Sequence, residues 1–228
     1  MQHTVAQLAM TVGLPSEQKA THMSRFLEIL EQRRAPLNLN HLLRLFEDML
    51  RRLDAESGEI ELAFPCYVSK AAPVSGVESL LDYDVRMIVG KRPGQPVELS
   101  LEVVATVTSL CPCSREISDY GAHNQRSHIT IAARLRSGMS PEELPRIAEE
   151  EALCEVFGLL KRPDEKWVTE RAYDNPEFVE DPVRDIALRV MRELRIAEWT
   201  VKSENFESIH NHAAYAEICG HNAADPGA

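Results

Sequence analysis

The residues able to do chemistry crowd into one stretch, Cys111-Pro112-Cys113-Ser114-Arg115-Glu116-Ile117-Ser118-Asp119-Tyr120-Gly121-Ala122-His123-Asn124-Gln125-Arg126-Ser127-His128. Two thiols, two imidazoles, two carboxylates and two guanidinium groups fall within these eighteen residues, with almost no apolar material among them. Charges of this density cannot be buried unpaired, so the segment belongs at a surface or cleft. Thiolate, imidazole and carboxylate together are the donor set that holds Zn²⁺ or Fe²⁺. A metal site is the first reading and a nucleophilic cysteine the second. Cys-x-Cys alone is not a structural zinc signature, and no second ligand pair stands at the usual spacing. A catalytic centre with an open coordination position is therefore the better metal reading.

Other candidates lie far away in the sequence. His210-Asn211-His212 would place two imidazoles on one face of an extended segment, or simply in a polar turn. Glu165 stands in the charged run Lys161-Arg162-Pro163-Asp164-Glu165-Lys166, which reads as a solvated linker. Glu180 precedes a helix, where an acid ordinarily complements the dipole. Thr21-His22-Met23-Ser24-Arg25 opens another helix, whose free N–H groups could take a phosphate. No Walker loop and no GxGxxG occurs, which excludes those nucleotide sites on pattern.

These groups need elements to carry them. Residues 3–12 read as a strand, Ser24–Leu30 and Leu39–Leu53 as helices separated by Pro36, and 59–69 and 80–91 as strands. In the second helix Leu39, Leu42, Leu43, Phe46, Met49, Leu50 and Leu53 follow helical spacing. Residues 98–109 and 127–136 are strand-like, the latter with Ile129, Ile131, Ala133 and Leu135 on one face. A helix is expected from Pro141 to Leu160, with Ser140 as its cap. Another is expected from Pro182 to Leu194, with Asp181 as cap and Val183, Ile186, Ala187, Val190 and Leu194 inward. Strands at 196–206 and 211–219 close the chain. The second half thus reads ββααββ and the first βααββ, an α+β repeat with modules at 1–94 and 95–220 and a frayed tail at 221–228. Small antiparallel sheets expose edges that subunits can cover by pairing, so a homo-oligomer is expected.

Composition sets the outer bounds. A net charge of −11 argues against a nonspecific nucleic-acid partner, but leaves room for a small anion held by a few gathered cations. No apolar run is long enough for a membrane span, and no secretory signal is evident. Five scattered cysteines suggest a reducing, cytoplasmic setting rather than a disulfide framework.

Taken together, the segments are recognisable. The long Cys111–Arg126 motif resembles GTP cyclohydrolase of the IB type. So do Gly13-Leu14-Pro15 and Thr21-His22-Met23-Ser24-Arg25-Phe26 upstream, and Arg162-Pro163-Asp164-Glu165-Lys166, Asn175-Pro176-Glu177-Phe178-Val179-Glu180-Asp181 and Glu207-Ser208-Ile209-His210-Asn211-His212 downstream. The likeness runs from about residue 2 to residue 219. It implies the tunnelling fold, two tandem ββααββ modules with antiparallel sheets and helices on one face. It also implies conversion of GTP to 7,8-dihydroneopterin triphosphate and formate, in pterin and tetrahydrofolate biosynthesis. Members usually carry a further N-terminal segment supplying the first strand of module one, which this sequence lacks before Gln2-His3-Thr4-Val5.

The resemblance assigns Cys111, His123, Glu165 and His210 to a divalent metal (Zn, Fe or Mn). Glu180 resembles the acid that receives the guanine N1–H and 2-amino group. His123 or His212, if free of metal, would carry protons, since imidazole titrates near neutral pH. Ser24, His22 and the cations Lys19, Arg25, Lys70, Arg115, Arg126 and Lys166 form the pool from which triphosphate contacts are expected. Active sites are expected near the interfaces of a dimer or tetramer. Two alternatives remain: a nitrile reductase of the same fold, using a thiolate and a nicotinamide, and a non-catalytic pterin- or purine-binding protein.

Overall fold

A computed structural model describes residues 3–17, 20–31, 36, 38–152 and 154–223. Lys19, one of the expected triphosphate cations, lies outside them.

The first half builds β1 (Gln7–Val12), α1 (Met23–Glu31), α2 (Leu39–Leu53), β2 (Gly58–Ala71) and β3 (Glu78–Lys91). In α2 the apolar spacing closes one face: Leu39, Leu42, Leu45, Phe46, Met49 and Leu53 are buried, while Leu43 and Leu50 are only partly covered. Asn38 caps the helix by accepting from the His41 N–H at 2.9 Å. The helix stops where Asp54 turns left-handed at φ 51°.

The second half builds β4 (Glu98–Leu110), α3 (Pro112–Ile117), β5 (Asn124–Leu135), α4 (Glu143–Glu151), β6 (Cys154–Glu155), α5 (Arg162–Asp174), α6 (Glu180–Val190), β7 (Ile196–Phe206) and β8 (Ala213–His221). Every pairing is antiparallel, in the order β1-β2-β3-β4-β5-β7-β8, with β6 on β4. The two halves are thus joined by β3–β4 pairing into one eight-stranded sheet, an α+β architecture in which the first half keeps the expected βααββ order while α3, β6 and α5 are added to the ββααββ order expected of the second.

Strand alternation sorts the two faces. Leu101, Val103, Ile129, Ile131, Trp199 and Val201 meet the helices in a single core that spans both halves. The opposite face is polar and laced with ion pairs, including Arg86 between Glu61 and Glu102, and Arg134 between Glu98 and Glu198.

Several expectations need correction. The helix expected at 141–160 ends at Glu151, and Cys154-Glu155 instead pair with Val107 and Thr108 of β4. They fill the gap left where β3 parts from β4 beyond the Asp84–Val104 pair. The N-cap expected at Ser140 slips to Glu142. The supposed charged linker at 161–166 is the start of α5, a helix that buries only Asp164 and Ala172 and so shows no apolar period. The helix α6 stops at Val190, leaving Leu194 58% exposed rather than inward. The expected frayed tail is ordered through its first residues. Asn222 is buried, receives the Trp199 indole N–H at 2.9 Å and donates to the Val190 and Glu193 carbonyls at 3.0 Å. Residues 224–228 lie outside the described set. Among the described residues no helix is long and apolar enough to cross a membrane.

Candidate active site at one end of the sheet

Cys111 follows β4 and His123 precedes β5, the pair of strands that run in register from Leu99–Leu135 to Leu110–Asn124. The ladder continues one step further, the Cys111 N–H donating to the His123 carbonyl at 3.2 Å. Ser114 in α3 staples the two ends together. Its hydroxyl donates to the Cys111 carbonyl at 3.1 Å and accepts from the His123 N–H at 3.2 Å. These bonds place Cys111 and His123 opposite one another on adjacent strand ends, with Cys111 half-buried and Cys113 exposed.

The His123 Nδ1 lies 3.0 Å from Oε1 of Gln125. An N–H at Nδ1 would donate to that oxygen and leave the Nε2 lone pair available. An imidazole held this way is ready to ligate a metal through Nε2. With sulfur from Cys111 beside imidazole nitrogen, the donor types suit a borderline divalent ion.

His210 and His212 sit in the turn between β7 and β8, their rings stacked with centroids 5.0 Å apart. Because Ser127 pairs with Asn205, this turn lies beside the start of β5, at the same end of the sheet as His123. Glu180 opens α6 and is exposed. The preceding connector is tied to β4 by the Glu177 N–H donating to the Leu110 carbonyl at 3.3 Å, which brings Glu180 to this end as well.

Glu165 reaches the neighbourhood from the side. The far end of α5 meets α3, where the Arg115 guanidinium covers the Tyr173 ring at 4.6 Å. Glu165 stands eight residues earlier, about 12 Å back along the helix. Within one chain, therefore, Cys111 and His123 are joined, His210 with His212 is at the adjacent turn, and Glu165 stands apart. Among the described residues no three His, Cys, Asp or Glu side chains converge closely enough to hold an ion.

The phosphate pool divides. Arg126 lies on the polar face of β5 opposite Thr108, near the site. Lys166, just past the first turn of α5, is exposed and only loosely paired with Glu170 at 3.7 Å. Lys70 is otherwise committed: its ammonium contacts Glu149 at 2.9 Å, Glu155 at 2.6 Å and the Val156 carbonyl at 3.0 Å, above the Phe157 ring. It is an internal tie rather than a free phosphate ligand. His22, Ser24 and Arg25 open α1, and the Arg25 guanidinium donates to the Arg52 carbonyl at 2.7 Å, near the start of β2. The site is at the other end of β2, about 40 Å away for a strand of this length. Within one chain these three do not meet Cys111.

Sequence reasoning passed over Glu177. One of its carboxylate oxygens is buried without a hydrogen-bond partner, beside a small cavity lined by Ser109, Ser127 and Asn205. Burial, with Asp185 and Asp181 nearby, pushes this carboxyl up to about 7 from its ordinary 4.5. A raised carboxyl favours the folded state at low pH and loses that advantage as pH climbs through 4.5 toward 7. Wild-type protein is therefore expected to lose about 1–2 kcal/mol at this half-buried, partly screened site between pH 5 and pH 8, and Glu177→Gln to lose none of it. Urea unfolding of both proteins at the two pH values reads the difference. Equal pH dependence in wild type and variant would refute it.

Residues 1–216 match the family model described as type I GTP cyclohydrolase folE2. The chain belongs to this family. It is 73% identical over 219 residues to GTP cyclohydrolase FolE2 1 of Dechloromonas aromatica strain RCB, covering 96% of this chain and 82% of that one. GTP cyclohydrolase FolE2 of Ralstonia nicotianae strain GMI1000 is 59% identical over 215 residues, covering 94% and 80%. Among solved structures, uricase from Arthrobacter globiformis superposes with a TM-score of 0.57 at 9% identity, over 98% of this chain and 88% of that one. Urate oxidase from Bacillus subtilis 168 gives 0.56 at 10%, over 96% and 85%. Identity this low shows the fold alone, and that fold is the tunnelling fold. For this type I GTP cyclohydrolase family member, the fold and family expected from the sequence motifs both hold.

Proposed function

We propose that this protein is a GTP cyclohydrolase I, hydrolysing the guanine ring of GTP at C8 to give 7,8-dihydroneopterin triphosphate and formate. The observation that supports it best is the Cys111–His123 pair, stapled by main chain at the sheet end that also carries Glu180 and the His210–His212 turn. Family membership over nearly the whole chain supplies the substrate.

Each residue has a task. Glu180, at the open N-terminus of α6, accepts the guanine N1–H and 2-amino group and so presents C8 toward Cys111 and His123. Cys111, His123, Glu165 and His210 are the ligands of a divalent metal in the assembled enzyme. When bound, such an ion lowers the pKa of a water from 15.7 toward about 7, making a nucleophile available at neutral pH. His212, stacked on His210 and free of the ligand role, carries protons between the opening imidazole ring and solvent. Arg126, Lys166 and Arg115 are the cations at this end suited to the triphosphate.

Completing the site takes a second copy of the chain. Among the described residues β1 and β8 each pair on one side only, which leaves an edge at each side of the sheet for another subunit. Large apolar side chains stand exposed at the site's end, Ile117 at 84%, Tyr120 at 101% and Ile209 at 63%. A partner seated there would cover them. It would also bring in residues, such as those opening α1, that cannot reach the site within one chain.

The test is formate release from GTP, together with the fluorescence of the oxidised pterin product and the metal content of the purified protein. The expected result is stoichiometric formate and pterin that stop on chelation and return with metal. NADPH oxidation with a nitrile substrate and no formate would mean a reductase. GTP binding without turnover or metal would mean a binding protein.

A further inference from the structure

Asp164 precedes Glu165 and is completely buried. Its carboxylate accepts four hydrogen bonds, two on each oxygen. Oδ1 receives the Val74 and Ser75 N–H groups, both at 2.8 Å, while Oδ2 receives the Ser75 hydroxyl at 2.6 Å and the Lys161 N–H at 2.8 Å. Burial alone would raise this carboxyl, but these donors outweigh it and hold it well below the usual range.

The Lys161 bond is local and caps α5. The other three cross about ninety residues of sequence to the turn between β2 and β3, in the first module. That turn is itself closed by Ala72 and Val77, whose main chains are bonded at 2.9 Å, and by Gly76, which adopts φ +67°. The helix α5 has little else to fix it there, since Asp164 and Ala172 are its only buried residues. A carboxylate saturated by four donors cannot turn. The backbone it anchors is shared with the next residue, Glu165.

We propose that Ser75 and Asp164 form a latch that positions Glu165, so that the first module sets where the second module's carboxylate meets the metal. The proposal rests on the reading of Glu165 as a metal ligand. Neither Ser75 nor Asp164 touches substrate or metal in this reading; both act through Glu165. Groups that hydrogen-bond a ligand directly are worth about 10–100-fold in metal affinity, so a hold exerted through the adjacent backbone is expected at the low end of that range.

The experiment titrates metal-free full-length protein with Mn²⁺, following free Mn²⁺ by electron paramagnetic resonance, beside thermal melts of each variant. Ser75 is an exposed turn residue, so Ser75→Ala is expected to fold. It should bind Mn²⁺ about tenfold more weakly, with Ser75→Thr restoring affinity because the hydroxyl returns. Glu165→Gln should weaken binding at least as much, and adding Ser75→Ala to it should cost nothing further. Wild-type affinity in Ser75→Ala beside weakened Glu165→Gln would overturn the latch and leave the ligand assignment standing. Undiminished binding in Glu165→Gln would overturn the ligand assignment and the latch with it. A tenfold loss from Ser75→Ala that persists in the Glu165→Gln background would mean a general structural effect and also overturn the latch.

Discussion

Cys111→Ala is expected to yield a folded protein that retains no divalent metal and releases formate from GTP at least about a thousandfold more slowly. The size follows from what a metal-activated water contributes. Several kcal/mol of barrier disappear with the ion, and each 1.36 kcal/mol is about tenfold in rate. The fold should survive because the thiol does none of the local bonding. The N–H of Cys111 meets the His123 carbonyl, and its own carbonyl is met by the Ser114 hydroxyl and the Arg115 N–H, all of which alanine preserves. Metal analysis, circular dichroism and a formate assay on one preparation decide it. A folded, metal-free variant with undiminished formate release would remove the proposed chemistry.

Lys70→Met is expected to act on stability rather than on substrate. The Lys70 side chain is 10% exposed and sits between Glu149 and Glu155. The Tyr83 hydroxyl donates to Glu149 at 2.7 Å, completing a polar seam between the modules. Burial raises the Glu149 carboxyl, and the Tyr83 hydroxyl and the Lys70 charge oppose that rise. Methionine keeps the stem over Phe157 but leaves two carboxylates without their cation. Removing one partner of a buried pair costs about 3–5 kcal/mol. Denaturant unfolding should show a loss of that order, while the KM for GTP of the folded variant stays at the wild-type value. Unchanged stability with a raised KM would return Lys70 to the triphosphate.

The elements show why some features were readable in the sequence and others were not. The bounds of α2 were legible because its burial follows an apolar stripe, although Leu45 joins the buried face in place of Leu43 and Leu50. The strands β4, β5 and β7 were legible because one face of each meets the core and the other meets water. The helix α5 was missed because a carboxylate, rather than an apolar stripe, docks it. A signal did exist: Pro163 in the first turn with Asp164 at the third position is a helix start. The two-residue β6 offers no period at all, and its pairing follows only from the gap that β3 leaves. Glu177 looks like any loop acid, and only packing against Ser109, Ser127 and Asn205 sets it apart.

The sequence by itself determined the family and the fold class and offered the candidate donors, because residue type, local period and motif are carried by neighbours along the chain. Only the tertiary structure decided which groups meet. It pairs Cys111 with His123, withdraws Lys70 into an ion-paired seam, leaves Arg25 at the far end of the sheet and ties Asp164 to Ser75. Those outcomes depend on strand register and on hydrogen bonds closed across tens of residues. Their geometry is set by how all the elements pack at once, which no local stretch of sequence encodes.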